Sequence, residues 1–235
     1  VYEFSEKEVG EGYKKLSILL FNRNIYKLEK HNSCMVKRVL ISTLFNPNPA
    51  LLSATRIGAN RIFLLMSDQP EPKQEASFKL IKDSLGKVIE VKPIKVKMYD
   101  VVSISQECVK IIDAQPNEDE IYVDITSGRK TLSMGLLFAS YCRSKRVKKI
   151  IYLPDEDKGA TVIYLPKLSF KLTESQKKIM EYIETEKYSS ITELSKVIDL
   201  STAMLYRAID ELKDMGFISL DDGLKLTDAG KIARL

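Results

Sequence analysis

The chain has 235 residues, of which 44% are apolar and 29% charged, a composition typical of ordinary globular proteins. No apolar run approaches the roughly 18 residues needed to cross a bilayer, so we do not expect a membrane protein. The single histidine, His31, and three widely separated cysteines argue against a metal centre or a histidine-based catalytic triad. We therefore expect a cytoplasmic protein that uses no metal and no cofactor.

Charge is distributed unevenly along the chain. Residues 1–170 hold 27 Lys and Arg against 20 Asp and Glu, whereas residues 171–235 hold 10 against 12. The excess positive charge therefore belongs to the first part of the chain, and an anionic partner is expected to bind there.

Residues 1–34 carry a weak amphipathic pattern and no motif, and we interpret them as an N-terminal extension of unknown role. From residue 35 to residue 168, strand and helix patterns alternate. Apolar runs typical of buried parallel strands occur in KRVLISTLF, NRIFLLMSD and EIYVDI, and a helical pattern follows each. This alternation predicts an α/β domain with a doubly wound, Rossmann-like sheet.

Local signals place several boundaries in this domain. Asn48 and Pro49 are predicted to cap and open the first helix. Pro93 indicates either a break in the third strand region, VIEVKPIKVKMYD, or an edge position for it in the sheet. The last two strands are predicted to form a hairpin around Lys158-Gly159.

Residues 171–235 have a different pattern. Three amphipathic helices are followed by two short strands around Asp222-Gly223, a sequence typical of hairpin turns. Thr173 is predicted to cap the first helix, and Ser190 with Glu193 has the spacing of a capping box at the second. The order predicts an α+β winged helix-turn-helix domain.

The motif DITSGRK follows the fourth strand directly and opens a helix. Arg129 and Lys130 stand at the positive end of that helix dipole, which disfavours each by about 0.3–1 kcal/mol unless an anion binds. Thr126 and Ser127 offer hydroxyl groups, and Gly128 allows a ligand to approach the backbone. The alternative is that Thr126 caps the helix and both cations are solvated.

The motif STLFN ends the first strand and is expected at the same edge of the sheet. Ser42 and Thr43 supply hydroxyls, Phe45 an aromatic surface for a base, and Asn46 an amide. Phe45 could equally be a core residue and Asn46 a turn former. Neither loop is a P-loop or a GxGxxG motif, so nucleotide hydrolysis by that route is not expected.

Through STLFN, DITSGRK and the C-terminal winged helix, the chain from Met35 onward resembles the CRISPR-associated Rossmann-fold (CARF) regulators. The resemblance implies a homodimer whose sensor domains bind a cyclic oligoadenylate, most often cyclic tetra-adenylate. By position it implies ligand contacts from Thr43, Phe45, Asn46, Thr126, Ser127, Gly128, Arg129 and Lys130. The first loop departs from the family pattern, because it has no glycine and contains Pro47 and Pro49.

We therefore expect a ligand-responsive transcriptional regulator, active in antiviral defence, that binds double-stranded DNA at promoters of CRISPR-related genes. Its predicted DNA contacts, on the second helix of the helix-turn-helix, are Thr202, Tyr206, Arg207 and Lys213. The low positive charge of this domain predicts weak DNA binding by a single copy.

Two other functions stay open at the level of sequence. A metal-independent ring nuclease would open the cyclic ligand, with Ser42 and Lys130 as its candidate catalytic residues. Alternatively, the winged helix would hold a dimer together without binding DNA, with Tyr206 at the interface. Ring size, operator sequence and the sign of regulation are not fixed by the residues.

Overall fold

The structure is a computed structural model that describes residues 36–154, 161–185, 190–220 and 223–235. The predicted extension of residues 1–34, the turn at Lys158-Gly159 and Asp222 of the wing lie outside these ranges. Residues 37–235 form one compact unit. The division into domains at residues 35–168 and 171–235 therefore stays a prediction.

Six of the described strands form one sheet, and two more form a small hairpin. The strands are β1 (Arg38–Thr43), β2 (Arg61–Ser67), β3 (Glu90–Val96), β4 (Glu120–Asp124), β5 (Val147–Tyr152), β6 (Ile163–Leu165), β7 (Ile218–Ser219) and β8 (Lys225–Leu226). The large sheet has the order β3-β2-β1-β4-β5-β6, in which only β6 runs antiparallel to its neighbour. The predicted doubly wound, Rossmann-like sheet is confirmed.

Helices cover both faces of this sheet and build the C-terminal region. They are α1 (Pro47–Ile57), α2 (Pro72–Leu85), α3 (Val101–Asp113), α4 (Lys130–Cys142), α5 (Glu174–Thr185), α6 (Ile191–Ile198), α7 (Thr202–Asp214) and α8 (Asp228–Ala233). The first of them starts two residues earlier than predicted. Asn46, not Asn48, is its extended N-cap residue, and Pro47 takes the first helical position.

The two faces of the sheet bury two separate apolar cores. One core packs α3 and α4 against the sheet through residues such as Ile104, Leu132 and Leu136, and the other contains Ala50, Ala54 and Ile81 from α1 and α2. Because β1 lies inside the sheet, residues 39–41 have no solvent exposure on either face. In contrast, β3 is an unbroken edge strand with exposed polar residues, so the edge position is the correct one of the two interpretations of Pro93.

The C-terminal region has the predicted winged helix-turn-helix order of three helices and a hairpin. The Ser190 hydroxyl accepts a hydrogen bond of 3.2 Å from the amide of Glu193, and Thr173 does the same for Gln176. These contacts confirm both predicted caps. Leu194, Leu205 and other apolar side chains of α5, α6 and α7 meet in a third core.

The last helix, α8, lies against α3 and α4 of the large sheet domain. The Cys142 thiol donates a hydrogen bond of 3.2 Å to the carbonyl of Ile232, and Arg143 donates one to the carbonyl of Leu235. Since α4 has 13 residues, it spans about 20 Å. One helix therefore runs from the carboxyl edge of the sheet to the winged-helix region.

Candidate ligand-binding site

The candidate site lies at the carboxyl ends of β1 and β4, where the strand order of the sheet reverses. Open α/β sheets bind ligands at such a switch point, because the loops that leave it diverge to opposite faces. The two strands end level with each other, since Ser42 pairs with Asp124. The loops carrying STLFN and DITSGRK are therefore neighbours, as the sequence predicted.

Ser127 joins these two loops. Its hydroxyl oxygen accepts hydrogen bonds from the amides of Phe45, at 3.0 Å, and Asn46, at 2.7 Å. The Thr43 hydroxyl donates in the other direction, to the carbonyl of Ser127. Both hydroxyls are buried, so they fix the two loops together and do not face a ligand.

Gly128 is required where the loops meet. Its φ of +91° is unfavourable for other residues, and a Cβ atom there would lie 3.1 Å from the Cβ of Thr43. The glycine therefore permits the close approach that places the next two residues, Arg129 and Lys130, at the mouth of α4.

The side chain of Asp124 supports the loop that carries DITSGRK. Its carboxylate is fully buried and accepts hydrogen bonds from the Ser53 hydroxyl, at 2.7 Å, and the Thr126 amide, at 2.9 Å. Burial raises the pKa of Asp124 above its usual range, and the two hydrogen bonds act against that shift. This carboxylate ties α1 to the loop that leads into α4.

Thr126 does not cap α4, so the capping part of the alternative interpretation from the sequence is wrong. Its hydroxyl accepts a hydrogen bond of 2.9 Å from the Leu153 amide instead. The N-cap position belongs to Arg129, whose side chain makes no capping bond. The amides of Lys130 and Thr131, the first two of α4, donate to no acceptor in the described part of the chain and remain available to an anion.

A cleft of about 490 Å³ opens in front of this helix end. It is lined by Phe45, Tyr99, Gly128, Arg129, Lys130 and Thr131. Tyr99 is 78% exposed and presents its ring to the cleft, and the Lys73 ammonium lies 4.8 Å from the centre of the Phe45 ring. The cleft thus combines cations, aromatic rings and backbone amides, the groups that bind phosphates and bases.

The two cations of the cleft differ in their partners. Arg129 forms an ion pair with Glu71, and this contact raises the pKa of the guanidinium. Lys130 has no ion pair among the described residues. The hydroxyl of the neighbouring Thr131 is buried and also lacks a hydrogen-bond partner within the described part of the chain. No carboxylate in the described ranges therefore competes with a ligand for Lys130.

A second cleft of about 560 Å³ shares Tyr99 and Arg129 with the first. Its other charged residues are Asp68, Glu71, Asp100 and Lys97, so carboxylates dominate its surface. Arg129 therefore lies between a cationic cleft and an acidic one.

Four of the eight predicted ligand contacts line the first cleft: Phe45, Gly128, Arg129 and Lys130. Thr43, Thr126 and Ser127 bind backbone groups. Asn46 is exposed and holds the N-cap position of α1 without a capping bond from its side chain. The candidate catalytic pair is not assembled. Ser42 has no solvent exposure and donates its hydroxyl to the Thr43 carbonyl, at 3.2 Å, whereas Lys130 lies in the cleft.

The predicted DNA contacts lie on α7, the second helix of the helix-turn-helix. Thr202, Tyr206, Arg207 and Lys213 are all exposed there. Arg207 is engaged by Glu211, one turn further along, at 3.2 Å. An exposed pair of this kind is worth less than about 1 kcal/mol, so it leaves Arg207 able to exchange Glu211 for a phosphate.

Sequence reasoning missed three residues of the site: Tyr99, Thr131 and Glu71. Tyr99 follows β3 and Glu71 follows β2, and the carboxyl ends of all five parallel strands meet at one edge. That rule alone could have directed attention to the loops after β2 and β3. Their short polar sequences contain no motif, so nothing in the residues themselves singled them out.

Within the ranges that the structure describes, no three or more His, Cys, Asp or Glu side chains are grouped so as to hold a metal ion. No helix in the same ranges is long and apolar enough to span a membrane.

The protein combines a Rossmann-like sheet, with a cationic cleft at its switch point, and a C-terminal winged helix-turn-helix. The family model for the N-terminal domain of HFX_2341_N-like proteins matches residues 41–158, half of the chain, and the chain belongs to this family. A winged helix-turn-helix DNA-binding model matches residues 172–219. The predicted assignment to the CARF regulators with a C-terminal winged helix-turn-helix is confirmed.

Two solved structures show distant similarity. Can2 from Sulfobacillus thermosulfidooxidans, in complex with cyclic tetra-adenylate, is 14% identical with a TM-score of 0.43. Protein VC1899 from Vibrio cholerae is 9% identical with a TM-score of 0.45. Each match covers 83% of this chain and 63% of the other. No curated protein matches the chain. At these TM-scores the similarity carries no argument about ligand or function.

Proposed function

We propose that this protein is a homodimeric transcriptional regulator of a CRISPR system that binds cyclic oligoadenylate, with cyclic tetra-adenylate the favoured ring, and binds DNA through its winged helix. The observation that carries this proposal is the cleft at the mouth of α4, where Arg129 and Lys130 stand beside the rings of Phe45 and Tyr99. Calorimetric titration with cyclic tetra-adenylate tests the ligand.

The cleft suits a cyclic oligonucleotide because it offers separate partners for each part of one. A phosphate at the N-terminus of α4 would accept hydrogen bonds from free amides and from the Lys130 ammonium. Adenine rings would stack on Phe45 or Tyr99, and such stacking contributes about 1–3 kcal/mol per base in single-stranded nucleic-acid complexes. A carboxylate-bearing or purely apolar ligand would use only part of this set.

A dimer is supported by the surface around the cleft. Met134 lies one turn beyond Lys130 on α4 and is 47% exposed, and Phe138, one turn further, is partly exposed. These side chains form an apolar strip beside a cationic cleft. Two copies that pack this strip about a two-fold axis would bring two clefts to one symmetric ring.

Binding of the ring would affect DNA binding only if the ring prefers one of two arrangements of the protein. Helix α4 provides a physical link, because Lys130 begins it at the cleft and Cys142 ends it against α8. A small displacement of α4 would therefore reach the winged helix directly.

The ring-nuclease alternative is not favoured by the geometry, since the Ser42 hydroxyl is buried and bound to a carbonyl. The dimerisation alternative for the winged helix draws on Tyr206, which is 53% exposed, and Met204, which is 59% exposed, on the same helix. The same exposed face also offers Arg207 to DNA, and the match to a DNA-binding model supports that use.

Replacing Arg207 by alanine is expected to weaken binding to the protein's own upstream DNA by about five- to tenfold. Removing one phosphate contact costs on the order of 1 kcal/mol of binding free energy. It also makes the plot of log affinity against log salt concentration less steep, by about one unit of slope. A gel-shift titration at several salt concentrations measures both quantities.

Lys79→Ala is the matched control, because Lys79 is an exposed cation on α2, far in sequence from α7, which carries the predicted DNA contacts. It should leave DNA affinity unchanged. Failure of the wild-type protein to shift DNA at any salt concentration would leave the winged helix as a dimerisation module.

A further inference from the structure

Arg129 is the only cleft cation with an ion-pair partner in the described part of the chain, and that partner is Glu71. Both side chains are 46% exposed, so the pair lies in water at the rim of the site. Ion pairs of this kind are weak, and each group can exchange its partner readily.

The position of the pair distinguishes it from an ordinary surface contact. Arg129 lines both clefts, whereas Glu71 lines only the acidic one. The guanidinium is therefore drawn by Glu71 toward the side of the site where carboxylates dominate. On its other side the cationic cleft contains Lys130 and the free amides of α4, which would hold a phosphate at a short distance from the same guanidinium.

A ligand phosphate can displace the carboxylate because the cleft holds that phosphate through more than one group. The phosphodiester of a cyclic oligoadenylate carries one negative charge, as the carboxylate does, and its two non-bridging oxygens can accept two parallel hydrogen bonds from arginine. The Lys130 ammonium would also donate hydrogen bonds to the phosphate, and it forms no ion pair with Glu71. A neutral nucleoside has no group that could take the place of the carboxylate.

We propose that Glu71 is an internal competitor for the ligand, a carboxylate that occupies Arg129 until a ligand phosphate replaces it. This inference rests on the proposed binding of cyclic oligoadenylate. Glu71 would lower affinity for every ligand that uses Arg129 and would restrict binding to ligands that present a phosphate. It therefore acts as a specificity-determining residue of the site.

Release of the Glu71 side chain would also affect α2, because Glu71 lies at the start of that helix. The backbone carbonyl of Glu71 accepts hydrogen bonds from the amides of Gln74 and Glu75. Gln74 donates a hydrogen bond of 2.6 Å to the carbonyl of Leu44, and Ser77 donates one of 2.8 Å to that of Phe45. The exchange of partners at Arg129 therefore occurs next to the helix that holds the first ligand loop.

The test is calorimetric titration of wild type and Glu71→Gln with cyclic tetra-adenylate. Glutamine keeps the shape of the side chain and removes its charge. We expect the variant to bind about two- to fivefold more tightly than wild type, the factor by which an exposed ion pair of this strength would compete. Thermal melting of both proteins checks that the fold is unchanged.

Two matched variants separate competition from a general change in charge. Glu75→Gln removes an exposed carboxylate from the same helix turn, outside both clefts, and should leave affinity at the wild-type value. In an Arg129→Ala background, Glu71→Gln should have no effect, because the guanidinium under competition is absent.

Wild-type binding that Glu71→Gln leaves unchanged or weakens would overturn the competitor role while the proposed function stands. An equal gain from Glu75→Gln, or a gain that persists without Arg129, would also overturn it. If neither protein binds the ring, the proposed function is wrong and the competitor role is lost with it.

Discussion

Lys130→Ala is expected to weaken binding of cyclic tetra-adenylate by about 5- to 150-fold, which corresponds to about 1–3 kcal/mol. Lys130 lines the cleft at the first turn of α4 and has no ion pair among the described residues. Its removal therefore takes away a charged hydrogen-bond donor without releasing a compensating partner. Calorimetry on wild type and variant gives the ratio of dissociation constants.

Lys130→Ala is expected to remain folded, so that a loss of binding reflects the loss of the lysine from the cleft. The lysine opposes the helix dipole, so alanine should leave the protein equally stable or slightly more stable, by about 0.3–1 kcal/mol. Lys79→Ala controls for net charge, since this exposed lysine lines neither cleft. If both variants bind the ring as tightly as wild type does, the cationic cleft is not the binding site.

Asp124→Ala is expected to lower the free energy of unfolding by about 2–4 kcal/mol. The change leaves the Ser53 hydroxyl and the Thr126 amide without the acceptor that each now has, and a buried unsatisfied group costs about 1–3 kcal/mol. Urea denaturation measures the change. Asp83→Ala, which removes an exposed carboxylate on α2, should stay within about 0.5 kcal/mol of wild type.

Asp124→Asn tests the electrostatic part of this account. The raised pKa of Asp124 means that the folded state binds its proton more tightly than the unfolded state does. The stability of wild type should therefore fall as pH rises from the ordinary value of 3.8 through the raised folded value, whereas the asparagine variant lacks this term. Over that pH range, the unfolding free energy of wild type should fall relative to that of Asp124→Asn. A difference between the two proteins that does not change with pH would contradict the raised pKa of Asp124.

The sheet and the meeting of the two loops could be predicted because both follow from general rules. Apolar runs mark buried strands, and parallel strands place their carboxyl ends at one edge. DITSGRK and STLFN follow two such strands, and β1 and β4 proved to be adjacent. For β3, Pro93 indicated a break or an edge position, and the strand lies at the edge.

The remaining details depend on contacts between segments distant in sequence. NPNP offers two equivalent caps, and a hydrogen bond from the Asn46 amide to Ser127, 81 residues away, favours the earlier one. Local sequence also cannot show whether a hydroxyl faces a ligand or a backbone group. Thr43, Thr126 and Ser127 therefore looked like ligand contacts but bind backbone groups. Tyr99 and Glu71 belong to loops without a motif and become visible only in three dimensions.

The central claim is that two copies of one cationic cleft share a single ring. Calorimetric titration of the wild-type protein with cyclic tetra-adenylate, with adenosine in a parallel titration, tests it most directly. We predict one ring bound for every two chains and no detectable binding of adenosine, which lacks the phosphates that Arg129 and Lys130 require. One ring bound for every chain, no binding of the ring, or adenosine binding as tightly as the ring would contradict the claim.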